Sequence, residues 1–300
     1  MGCNVTEDLA TTFEKHRPRM RGTAYRMLGS LAEADDVVQD AWLRASKASM
    51  ADVNDVGAWL TTIVARLCLD RLRTRRSRRE NPLEVVLPDL VLASPEASEP
   101  EQEALLADSV GLAMLVVLDA LSPAERLAFV LHDTLGLPFE QIAPIVRRNV
   151  EATRQLASRA RRRVRAARPA ADVPLKRQWE LIDAFLGAAR EGDIEGLMRV
   201  LDPDVVARAD FGPPPAALGA SRAYHGAAEV SRQAMMFRNL APGARRVLVN
   251  GGAGLYVTAA GRPYAVLGMT FGPQGITEID ILLDPERLAR LAPPPDGRPA

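Results

Sequence analysis

Arg154, Gln155, Ser158 and Arg159 fall within two helical turns and carry the donors and acceptors that read base edges in a nucleic-acid groove. Arginine pairs bidentately with guanine, glutamine with adenine, and serine adapts to either. The same stretch ends in Arg161, Arg162, Arg163, Arg165 and Arg168. Such a run meets phosphates, which give affinity without sequence choice, and Arg163 falls near the inner stripe as a structural group. A second cationic block, Arg71, Arg73, Arg75, Arg76, Arg78 and Arg79, closes another amphipathic stretch. Between Glu80 and Arg126 there is no Lys or Arg, while Glu84, Asp89, Glu96, Glu99, Glu101, Glu103 and Asp108 accumulate. One arginine-rich helix end would read as a solvated terminus. Two, separated by an acidic connector, fit a polyanionic partner, and the net charge of zero hides the pattern.

The elements that must position these groups are helical. Ser30-Leu31-Ala32-Glu33 predicts a capping box. The helix behind it aligns Ala34, Val37, Val38, Ala41, Trp42 and Ala45 on one stripe and shows Asp35, Asp36, Gln39 and Asp40 opposite. Asp55 caps a third helix with Val56, Leu60, Ile63, Val64 and Leu67 inward, which runs unbroken into the first arginine block. Residues 81–108 carry Pro82, Pro88, Pro95 and Pro100 and read as an extended linker. Helix resumes near Leu105 and continues through Val110–Leu121. Ser122-Pro123-Ala124-Glu125 predicts a second capping box, on a helix that stops near Gly136. A short helix (Phe139, Ile142, Ile145, Val146), the turn Arg147-Arg148-Asn149 and a long helix from Val150 to about Arg165 give a helix-turn-helix outline. Leu156, Ala157, Ala160 and Val164 form its inner stripe. Pro144 interrupts the short helix, and no glycine marks the turn.

After Pro169 and Pro174 the pattern changes. Two helices (Leu175 to Gly192, then Ile194 to Leu201) precede strand signals at Val205–Ala209, Arg246–Asn250, Gly254–Thr258, Tyr264–Phe271 and Ile276–Leu282. The chain is therefore expected to be multidomain: two all-α domains, then an α+β domain with a curved antiparallel sheet. Apolar residues make up 47% and charged residues 25%, as in ordinary globular proteins. Two cysteines, Cys3 and Cys68, form no metal or disulfide pattern. No run is long enough to span a bilayer, and no signal peptide opens the chain, so the expectation is a cytoplasmic protein without metal or cofactor.

The segments "GSLAEADDVVQDAWLRA" and "AWLTTIVARLCLDRLRTRRSRRE" resemble region 2 of extracytoplasmic-function (ECF) sigma factors of the sigma-70 family. "LSPAERLAFVLHDTLGLPFEQIAPIV" with "ATRQLASRARRRV" resembles their region 4, and "VNGGAGLYVTAAGRPYAVLGMTF" with "ITEIDILLDPERLARL" resembles the SnoaL-like cone of the SigJ-like subgroup. The resemblance implies region 2 at 7–80, a linker at 81–108, region 4 at 109–168 and a SnoaL-like regulatory domain at 174–292. It implies RNA polymerase core and promoter DNA as partners, through the β′ clamp helices and the β flap, and no membrane. Asp35, Asp36, Gln39 and Asp40 then dock on the clamp helices, with Trp42 beneath. Trp59, Thr62, Arg66, Asp70, Arg71 and Arg73 match the segment that melts and reads the −10 element; Trp59 alone reads equally as core. Arg154, Gln155, Ser158 and Arg159 meet the −35 element, with Arg161, Arg162 and Arg165 on its phosphates. The acidic linker threads the RNA exit channel or acts as a passive tether.

The sequence departs from the subgroup in three places. The linker's Trp-Leu-Pro-Glu-Pro motif is replaced by "VVLPDLVL". The Asp-Gly-Gly-Gly-Lys stretch becomes Asp210-Phe211-Gly212-Pro213-Pro214-Pro215, and the Asn-Pro-Asp motif becomes Asp284-Pro285-Glu286. With Asn250 and Gly251, the residues Asp210, Phe211, Gly212, Asp284 and Pro285 are the expected cis-regulatory loops, and an unknown small molecule is the possible ligand of their domain. The rival reading makes the cone an isomerase or cyclase drawing on Asp210, Tyr224, His225 and Asp280. A second rival is a helix-turn-helix regulator acting without polymerase, which the acidic ridge and the first arginine block speak against.

Overall fold

The computed structural model describes residues 3–48, 53, 55–78, 86–95, 111–167, 173–212 and 221–291. They fall into two compact units, one of Met1–Glu80 with Leu115–Ala167 and one of Asn81–Met114 with Arg168–Ala300. The described linker residues, 86–95, group with the C-terminal domain. The acidic residues from Glu96 to Asp108 and the prolines at 213–215 lie outside the described residues.

In the first unit α1 (Cys3–Leu28), α2 (Leu31–Ala45) and α3 (Val56–Arg78) pack on one another. Ser30 accepts from the Glu33 N–H at 3.5 Å, but the Glu33 carboxylate pairs with Arg75. The longer reach of the arginine competes for that carboxylate, so the expected reciprocal half of this box is not made. Ala34, Val37, Val38, Ala41 and Ala45 are buried as their spacing predicts, and half-buried Trp42 meets Phe13 edge-on at 5.0 Å. Asp55 accepts from the Ala58 N–H at 3.0 Å and starts α3. On α3 burial extends beyond the predicted stripe to Ala65, Cys68, Leu69 and Leu72, because helices from both halves of the unit cover it. The Cys68 thiol is pushed up to about 12 by that burial.

The chain re-enters this unit through α4 (Leu112–Asp119), followed by α5 (Pro123–Phe129), a π-turn at Val130–Thr134, α6 (Phe139–Val146) and α7 (Val150–Ala167). The Ser122–Glu125 box is complete in both directions. Gly136 closes the segment with φ +71°. Pro144 lies in the last turn of α6, which stays helical through Val146. Arg147 takes the left-handed conformation (φ 60°) that a glycine would normally supply, and Asn149 caps α7 through the Ala152 N–H at 2.7 Å. Arg126, 3% exposed, donates to the carbonyls of Leu118 (2.6 Å) and Met27 (2.7 Å) and pairs with Asp119.

In the second unit β1 (Leu92–Ala93) precedes α8 (Leu175–Glu191), α9 (Ile194–Val200), β2 (Leu201–Asp210), β3 (Arg222–His225) and α10 (Ala227–Met236). A 3-10 turn and β4 (Ala244–Val249), β5 (Gly252–Ala259), β6 (Arg262–Gly272), β7 (Gly275–Leu282) and α11 (Pro285–Arg290) complete it. The seven strands run β1-β4-β5-β6-β7-β2-β3, antiparallel except for the parallel β2–β7 pair. β1, β3, α10 and α11 add to the elements read from the sequence. Asn250 and Gly251, both at positive φ, form the two-residue β4–β5 turn whose twist suits a hairpin. Ile182, Phe185, Leu197, Val205, Leu255 and Ile279 build the core between helices and sheet. Among the described residues no helix is long and apolar enough to cross a membrane.

Candidate nucleic-acid interface and linker clamp

On α7 the apolar stripe fixes which side chains face out. Ala157, Ala160 and Val164 are buried, Thr153 is fully so, and Leu156 is half-buried. Arg154, Gln155, Ser158, Arg159, Arg162 and Arg165 are exposed on the other side. Arg154 leans on the preceding helix, 3.4 Å from Glu140 and over the Phe139 ring at 5.9 Å, so α6 presets its direction. Arg161 is ion-paired to Asp133 at 3.3 Å and Arg163 to Glu125 at 3.2 Å. Both tie α7 to the elements beneath it. The outward set is therefore Arg154, Gln155, Ser158, Arg159, Arg162 and Arg165.

The acidic residues of α2 and the basic ones of α3 meet each other. Asp35, Asp36 and Gln39 are exposed and Asp40 half-exposed, with Arg21 bidentate on Asp35 at 2.6 and 3.2 Å. Arg71 does not project outward as expected. It donates to the Glu33 carbonyl (3.0 Å) and to Asp40 (2.8 Å). Its charge braces α3 against α2, because a carboxylate one helix away satisfies a guanidinium better than water along a packed seam. Arg66 and Arg73 are exposed, Trp59 is half-buried, and the Thr62 hydroxyl donates to Ala58 at 2.9 Å within its own helix.

The loops of the second unit converge on residues 87–93. Asp210, 1% exposed, accepts from the Leu87 N–H at 2.8 Å and pairs with Arg287 at 2.8 Å. Arg287 also donates to the carbonyls of Leu87 (2.9 Å) and Pro88 (2.8 Å). Asn250 exchanges two bonds with Val91: its side chain accepts at 3.1 Å and its N–H donates at 2.9 Å. Leu92 and Ala93 then pair with Val249 and Leu248. Asp284 caps α11 through the Glu286 N–H at 2.9 Å, with Pro285 at the first helical position. That cap aims Arg287 at the linker. Gly212 (φ +85°) passes so close that an added Cβ would stand 2.8 Å from the Asp284 carboxyl carbon. Asp210 and Asn250 each hold a residue of the linker and Asp284 stands against Gly212, with Gly251 and Pro285 shaping the backbone around them. Arg287 and the linker's Leu87, Leu90 and Val91 were missed; the segment "ITEIDILLDPERLARL" contains the arginine, but nothing in it points to a partner 200 residues earlier.

Phe211 points to the opposite face of β2, where it joins Ala207 and Ala209 around a cavity of about 130 Å³ between helices and sheet. Of the rival catalytic candidates only Tyr224 lines that cavity. His225 is exposed, and Asp210 serves the clamp. Asp280, 1% exposed, pairs with Arg208 at 3.0 Å on the far face, where Glu278 also reaches Arg208. Burial raises the Asp280 carboxyl to about 6 in spite of the arginine. A carboxyl raised on folding contributes most below its unfolded value and loses that contribution as pH rises through 6. The stability of Asp280→Asn should therefore gain on the wild type by roughly 2–3 kcal/mol between pH 4 and pH 7. Parallel denaturant curves across that range measure it; a constant difference refutes it.

A helix-turn-helix reader and a second arginine-bearing helical module, joined by a linker clamped to an α+β cone, define a two-module DNA-directed protein. Comparison gives the family. Models of sigma-70 region 2 and sigma-70 region 4 match residues 12–78 and 112–164. The ECF RNA polymerase sigma factor SigJ of Mycobacterium tuberculosis is 37% identical over 259 residues, 84% of this chain and 81% of that protein. The probable ECF RNA polymerase sigma factor SigI of the same organism is 36% identical over 216 residues, 72% and 74% of the two chains. The crystal structure of Mycobacterium tuberculosis SigJ superposes with a TM-score of 0.71 at 30% identity, over 93% of this chain and 98% of that one. The chain belongs to the ECF sigma factors of the sigma-70 family, close to the SigJ and SigI relatives.

Proposed function

We propose that the chain brings core RNA polymerase to a two-part promoter and that the C-terminal unit controls this in cis through the linker. The observation that carries the reading is the outward set on α7, held to a base-reading geometry by an inner stripe and a left-handed turn. Arg154, Gln155, Ser158 and Arg159 read the −35 element, while Arg162 and Arg165 meet phosphates. Asp35, Asp36, Gln39 and Asp40 form the polymerase-facing ridge, and Trp59, Arg66 and Arg73 serve the −10 strand. Arg71 supports them from within rather than touching DNA. The protein works in the cytoplasm, beside the polymerase that it recruits. The C-terminal unit acts as a regulator rather than a catalyst, a reading supported by a cavity whose described lining residues include no carboxylate or imidazole.

Run-off transcription with core enzyme tests the function: no promoter-dependent transcript from either the full chain or a chain ending at residue 173 refutes it. Arg159→Ala should cost about 1–3 kcal/mol of discrimination at one −35 base pair. Arg162→Ala should weaken specific and scrambled duplexes alike and lower the salt slope by about one. Quantitative binding at several salt concentrations distinguishes the two.

A further inference from the structure

The cavity of the second unit has a chemistry of its own. Its wall contains many small residues, Ala207, Ala209, Ala241, Ala244 and Ala265 among them. Larger apolar residues there would fill it, and an unfilled apolar cavity is destabilising. Among the described lining residues none carries a carboxylate, imidazole, ammonium or guanidinium, and the polar side chains are Tyr224, Tyr264 and Gln233. Phe237, 42% exposed, also lines the space, so the cavity reaches the surface beside it. At about 130 Å³ it matches the size class of dry apolar cavities that take up benzene.

The geometry points to a binding site for a small, uncharged, apolar molecule, of the size of a single aromatic ring with short substituents and at most one or two hydroxyl or carbonyl groups. The enclosed volume fits one ring, and the absence of any charged partner among the described lining residues disfavours carboxylates and amines, whose burial without compensation is prohibitive. The site also lies one residue from the clamp. Phe211 faces the cavity, while the adjacent Asp210 on the other face of β2 holds the Leu87 N–H and Arg287. A molecule that displaces the Phe211 ring moves the backbone that carries Asp210. Occupancy is thereby read at the linker. This coupling gives the regulation proposed above a chemical input, whereas binding itself does not depend on that reading.

The test uses the full-length chain alone, with no polymerase or DNA, so its failure and that of the promoter reading are separable. Toluene and p-cresol are titrated and followed by methyl NMR, with benzoate as the charged counterpart. Saturable shifts on Ala207, Ala209 and Ala265 methyls are expected, with benzoate at least about 100-fold weaker. Ala209→Leu and Ala265→Ile, each checked for an unchanged fold by circular dichroism, should abolish the shifts. No saturation by either neutral probe up to its solubility overturns the site. Binding that survives in both folded variants overturns its location, and benzoate equal to toluene overturns its chemistry. At toluene saturation, hydrogen exchange at the Leu87 and Val91 amides should change at least about threefold relative to exchange at the α9 amides, which lie outside the clamp. Unchanged exchange overturns the coupling.

Discussion

Replacing Arg287 with alanine will release residues 87–93 from the sheet. Three bonds to the linker and one buried ion pair meet at this guanidinium, and Asp210 would be left 2% exposed in its side chain without its cation. Removing one partner of a buried pair strands the other, at a cost of about 3–5 kcal/mol. The Leu87 and Val91 amides should then exchange fast while amides of the β5–β6 ladder keep most of their protection. Glu286→Ala, one residue away and exposed, should change stability by less than about 0.5 kcal/mol. Asp210→Asn combined with Arg287→Ala should recover part of the loss, because the stranded charge is gone. A Leu87 amide as protected in Arg287→Ala as in wild type refutes the clamp. Run-off yield equal to wild type with the linker free would separate the clamp from control of initiation.

Arg126→Ala should be the most damaging single change in the helical unit. The side chain is 3% exposed and serves the Leu118 and Met27 carbonyls and Asp119 together. Alanine takes the guanidinium donors away from two carbonyls and leaves a cavity the size of the side chain, about 3–5 kcal/mol in all. Arg126→Lys recovers only part, since an ammonium cannot span three directions that a planar guanidinium covers. Urea unfolding followed at Trp42, which packs on Phe13, reports it. A loss below about 1 kcal/mol would show that water replaces the arginine. Met27 lies 99 residues before Arg126, so this one side chain ties the first helices of the chain to the helix-turn-helix segment.

What was legible in the sequence was local. The Ser122–Glu125 box, the inner stripes of α2 and α7 and the glycine stops need only near neighbours, and each stands where its spacing puts it. The outward residues of α7 follow from the same periodicity. What was not legible depends on partners far along the chain. Arg71 looks like any solvent-facing cation until Asp40, 31 residues earlier, is found beside it. Glu33 has the spacing of a reciprocal cap, yet Arg75 claims its carboxylate. "VVLPDLVL" is too short and too broken by proline to announce a strand, and the strand that begins at its last residue, Leu92, needs Val249 as a partner to form. Arg147 shows that a turn can be made without glycine when the helices on either side are well capped, which a search for glycine does not find.

The clamp has a consequence for synthesis. Leu87 precedes Arg287 by 200 residues. At roughly 5–20 residues per second the ribosome needs about 10–40 s to deliver the second after the first. Both helical regions are complete once Ala167 is made, and for the rest of that interval Leu87, Leu90 and Val91 still have no sheet to cover them. A nascent chain therefore passes through a stage in which both helical regions exist and the clamp on residues 87–93 does not. How long that stage lasts is set by codon usage across β2 to α11, and with it the demand on chaperones that shield a bare apolar segment.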